Sequence, residues 1–103
     1  NPYLAFALML EAGLDGIDRK LPLPEPIEEN IFGMTPDKRR ENNIDAIPGS
    51  LETAIVEFER SDFCKRVLGD HIFHKLIDNK RLEWDQYRTH VSAFESDKYL
   101  KML

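Results

Sequence analysis

The chain has 103 residues, 42% hydrophobic and 32% charged, with 14 Lys and Arg against 19 Asp and Glu and a formal charge of −5. That balance fits one soluble domain with a modest core and excludes a fibrous or disordered chain. It also argues against nucleic acid as a partner, because neutralising phosphates takes a surplus of Lys and Arg on some face.

Cys64 is the sole cysteine, so no disulfide can form within the chain, and a reducing, cytoplasmic setting is expected. The longest apolar run, Tyr3 to Leu10, falls well short of the roughly 18 to 20 residues that a membrane span needs. It lacks the basic leader of a signal peptide, so neither membrane nor export is expected. The sequence opens directly on this run, whereas natural termini tend to be polar and exposed, and a piece of a longer protein is the expectation.

In chain order, Asn1 is placed to cap a helix and Pro2 to begin it, since the first helical N–H has no partner to lose. The helix is predicted over Tyr3 to Asp18. Its first half is apolar nearly all round, with Leu4, Phe6, Leu8, Met9 and Leu10 leaving no polar stripe, so it should be packed on several sides. Pro22, Pro24 and Pro26 remove backbone donors and force an extended connection. Thr35-Pro36 starts a short basic helix through Lys38, Arg39 and Arg40, ended by Asn42-Asn43. Pro48-Gly49 makes a turn, and Ser50 caps an amphipathic helix with Leu51, Ala54, Ile55 and Phe58 at helical spacing.

Ser61-Asp62 opens a further short helix carrying Phe63, Val67 and Leu68, with Gly69 as its left-handed stop. From Asp70 the longest pattern runs through Phe73, Leu76, Ile77, Trp84, Tyr87 and Val91, interrupted only by Lys80, for about five to six turns. Ser92 and Glu95 form an S-x-x-E capping box ahead of a terminal helix with Phe94, Tyr99, Leu100, Met102 and Leu103. The fold class expected is mostly α, a helical subdomain of five to six helices joined by Pro-rich loops.

Few residues are arranged for chemistry. His71 and His74 share a helix face near Cys64 and Asp70, but a structural zinc site needs four ligands and no second pair is present. Cys64 sits beside Phe63 in an amphipathic helix, where a half-buried thiol is the usual outcome rather than a nucleophile. No phosphate-binding glycine loop occurs. Glu57 and Glu59 point in different directions on their helix, and the acidic and basic clusters, including Lys80 and Arg81, read as solvated faces. The terminal helix differs, being apolar to its last position. It either docks on its own helices or enters a partner's groove.

The order of these residues resembles one family. Asn1-Pro2-Tyr3-Leu4-Ala5, then Ala12-Gly13-Leu14-Asp15-Gly16-Ile17, is similar to the N-P-Y-L-A … A-G-L-D-G-I signature of class I glutamine synthetases. The likeness continues through Pro24-Glu25-Pro26, Asn30-Ile31-Phe32, Pro48-Gly49-Ser50-Leu51 and Glu83 to Thr89, across essentially the whole chain. The resemblance implies that residues 1–103 are the C-terminal helical portion of an α+β catalytic domain, with 92–103 as a docking helix. It implies a cytoplasmic, ATP-dependent ligase that joins ammonia to glutamate through a γ-glutamyl phosphate, a homo-dodecamer of two stacked hexamers using Mg or Mn.

In that family the metal carboxylates, the metal histidine and the phosphate-binding arginines precede the N-P-Y block. No catalytic, cofactor-binding or metal residue is therefore expected in this chain. Phe32 falls where some members carry a tyrosine that becomes adenylylated, and a phenyl ring has no hydroxyl to modify. The tail from Phe94 through Tyr99, Leu100 and Met102 to Leu103 resembles the C-terminal segment that docks on a subunit of the opposite ring, although Ala93 and Phe94 depart from the Pro-Trp often found there. Its expected partners are the rest of the catalytic domain and other subunits. A free-standing helical interaction module, with Leu4 to Leu10 and Phe94 to Leu103 as its binding faces, is the alternative.

Overall fold

In a computed structural model that describes residues 1–102, the chain is helical, with no strand among the described residues. It divides into two compact units, Asn1–Gly49 and Ser50–Leu103.

The first unit begins with α1, Pro2–Asp18. The Asn1 side chain accepts from the Tyr3 N–H at 3.0 Å and Pro2 occupies the first turn, so the start is capped as the sequence predicts. The helix stops in a manner the sequence does not announce. Lys20 takes φ 51°, the Lys20 N–H donates to Ile17 O at 3.1 Å and the Leu21 N–H to Gly16 O at 3.0 Å. This is a Schellman closure built on a lysine instead of the usual glycine. The Pro-rich segment after it is neither helix nor strand. A 3₁₀ turn at Ile31–Gly33 leads to α2, Pro36–Glu41, capped by the Thr35 hydroxyl, which accepts from the Lys38 N–H at 3.3 Å. Asn43 at φ 54° ends α2 in the same Schellman geometry, the Asn43 N–H donating to Arg40 O at 3.0 Å and the Ile44 N–H to Arg39 O at 2.9 Å. Met34 is the one buried apolar residue described in this unit.

The second unit holds α3, Leu51–Glu59, α4, Asp62–Arg88, and α5, Ala93–Tyr99, followed by a 3₁₀ turn at Leu100–Met102. Ser50 and Thr53 cap α3 reciprocally, and the Ser61 hydroxyl accepts from the Cys64 N–H at 3.1 Å to start α4. α3 and α4 pack through Ile55, Phe73 and Ile77, with Leu51, Phe58, Cys64 and Trp84 against them. Phe58 and Phe73 stack with centroids 5.0 Å apart, and Phe73 is only 4% exposed. The spacing of Phe73, Ile77 and Trp84 on α4 meets that of Leu51, Ile55 and Phe58 on α3, each set recurring at three- and four-residue steps on one face.

α4 is broken at Gly69, whose φ 75° and ψ 158° are non-helical. The predicted stop at Gly69 is therefore present as an interruption between two helical segments. Its ψ is not that of a left-handed cap but of an extended, positive-φ region that glycine alone occupies readily. The Lys65–Asp70 ion pair, at 3.3 Å, spans the break. Two sequence expectations need correction. Val91 does not extend the long helix, because α4 ends at Arg88 with Thr89 as its cap, the Thr89 hydroxyl donating to Asp85 O at 2.8 Å. The terminal helix is α-helical only to Tyr99 and tightens into a 3₁₀ turn beyond it; Leu103 lies outside the described residues.

Candidate functional site

α1 is the largest feature without internal cover. None of its residues is buried, and Tyr3 is 82% exposed, with Phe6, Met9, Leu10 and Ile17 also in solvent. The packing on several sides that its all-round apolar character calls for is not supplied by the described residues. The total surface makes the same point, because 9276 Å² is exposed. A compact chain of this mass exposes about 6,000 Å², and two compact bodies of half the mass, counted separately, about 7,200 Å². Surface patches on soluble monomers seldom hold so many large apolar side chains side by side.

The tail is the second such feature. Its entry is fixed locally: the Ser92 N–H donates to Glu95 Oε2 at 2.7 Å, and the Glu95 N–H donates back to Ser92 Oγ at 3.2 Å. The bonds from the Ser92 backbone and hydroxyl hold the Glu95 carboxyl below the usual carboxylate range. Lys98 lies over the Phe94 and Tyr99 rings, 5.3 and 5.5 Å from their centroids, and covers part of both. Phe94 remains 68% exposed, and Tyr99, Leu100 and Met102 are exposed as well. These side chains are left without burial by the described residues of the chain.

Phe32 stands at the middle of the 3₁₀ turn, 96% exposed, with its N–H donating to Asn30 Oδ1 at 3.1 Å. Lys38 reaches back to Glu29 in an ion pair, tying the turn to α2. The ring is thus presented outward on a locally ordered loop. Arg39 is a residue that sequence reasoning missed. Its Nε is buried with no hydrogen-bond partner among the described residues, and nothing in the run Lys38-Arg39-Arg40 distinguishes it from its neighbours.

The groups considered for chemistry fall apart in space. The described residues bring together no three His, Cys, Asp or Glu side chains that could hold a metal ion. His74 Nδ1 donates to the Asp70 carbonyl at 2.7 Å and its ring meets Phe73 edge-on, so it serves the helix and the core. Cys64 is half-buried against the α3–α4 core. Arg81 is paired with Glu59 at 2.6 Å between α4 and α3, which makes those charges a brace rather than a ligand. Among the described residues no helix is long and apolar enough to cross a membrane.

The family model for the glutamine synthetase catalytic domain matches residues 1–99. The chain belongs to the glutamine synthetase family. It is 52% identical over 102 residues to the glutamine synthetase of Methanococcus voltae, covering 99% of this chain and 23% of that protein. The glutamine synthetase of Staphylococcus aureus strain MW2 is 46% identical over 101 residues, covering 98% of this chain and again 23% of the relative. That of strain MRSA252 is 45% identical over 101 residues. The chain thus spans 23% of the length of these glutamine synthetases. The family identity and the helical fold are as the signature residues imply.

Proposed function

We propose that this chain is the C-terminal helical portion of a glutamine synthetase catalytic domain, residues 1–103, and that it supports the active site of the whole enzyme without supplying catalytic groups. The whole enzyme, in this reading, is a cytoplasmic homo-dodecamer that joins ammonia to glutamate with ATP and Mg or Mn. α1 buttresses the rest of the catalytic domain, and residues 92–103 dock on a neighbouring subunit through Phe94, Tyr99, Leu100, Met102 and Leu103. Phe32 occupies the regulatory position without a hydroxyl, so adenylylation has no acceptor there.

The observation that carries this reading is the bare apolar face of α1 in a chain that spans 23% of its relatives. A helix apolar nearly all round is stable only where other elements surround it, and the remaining length of a glutamine synthetase provides such surroundings. The test is a glutamine-forming assay with ATP, Mg, glutamate and ammonia on the purified chain and on the full-length enzyme. No turnover is expected from the chain alone. In the full-length enzyme, Phe6→Asp with Leu10→Asp is expected to abolish activity together with the folded state, whereas Phe32→Ala leaves both intact. Turnover by the isolated chain, or full activity in the double variant, would refute the proposal.

A further inference from the structure

We draw no further inference here: the strongest candidate, the apolar groove between α3 and α4 lined by Leu51, Ile55, Phe58, Leu76, Ile77 and Lys80, carries nothing because nothing in the structure shows what covers it.

Discussion

Gly69 and Glu95 each hold a local conformation that one substitution can interrogate. Space is open around Gly69, where a Cβ would meet no heavy atom within 4 Å, so only its backbone angles resist a side chain. Gly69→Ala and Gly69→Ser should therefore lose the same stability, about 1–3 kcal/mol, despite their different sizes. Urea denaturation of the two variants checks this; a larger loss for serine would mean that crowding, not φ, is the cause. Glu95 gives a pH prediction. Its carboxyl titrates below its ordinary value because the ionised form accepts from Ser92. A folded value below the unfolded one stabilises α5 above the unfolded pKa, and the effect is lost as pH falls through the folded value. NMR titration should show a depressed Glu95 midpoint, with the amides at the start of α5 losing protection in acid, and Glu95→Ala should remove that acid dependence.

At the scale of elements, the pair α3 and α4 is held by a small core in which Phe73 is the most deeply buried residue. Phe73→Ala should cost about 3–5 kcal/mol through lost burial and the cavity left behind, enough to unfold a unit with so few buried side chains. Circular dichroism during denaturation reads this directly, and a loss below about 1 kcal/mol would mean that the cavity collapses. The helix starts were legible in the sequence because caps act over three residues: Asn1, Thr35, Ser50, Ser61 and Ser92 all do what their side chains allow. The stops were less legible. Lys20 and Asn43 close helices with positive φ, and a lysine carries no local mark of that duty, since it is the hydrogen bonds to Gly16 and Ile17 that hold it there. Val91 misled because it continues the apolar rhythm of α4, while Thr89 turns its hydroxyl back on the preceding carbonyls and ends the helix.

For the whole molecule, the unburied apolar surface governs behaviour in solution. The isolated chain is expected to self-associate through α1, and light scattering should show mass rising with concentration. Phe6→Lys with Leu10→Lys should shift it toward monomer while leaving α3 and α4 folded, as the second unit has its own core. A monomer at all concentrations in the unmodified chain would contradict this. The candidate site was legible only in part for the same reason. The sequence shows that the first half of α1 is apolar nearly all round, but a local pattern carries no record of what would pack against it.

The bareness of α1 also bears on how such a stretch fares in a cell. Detached from its surroundings, it would offer water a ridge of Tyr3, Phe6, Met9 and Leu10, the kind of display that chaperones clasp and proteases clear. Its abundance would then track how quickly it finds shelter, and a surplus of it would be pruned without any dedicated degradation signal.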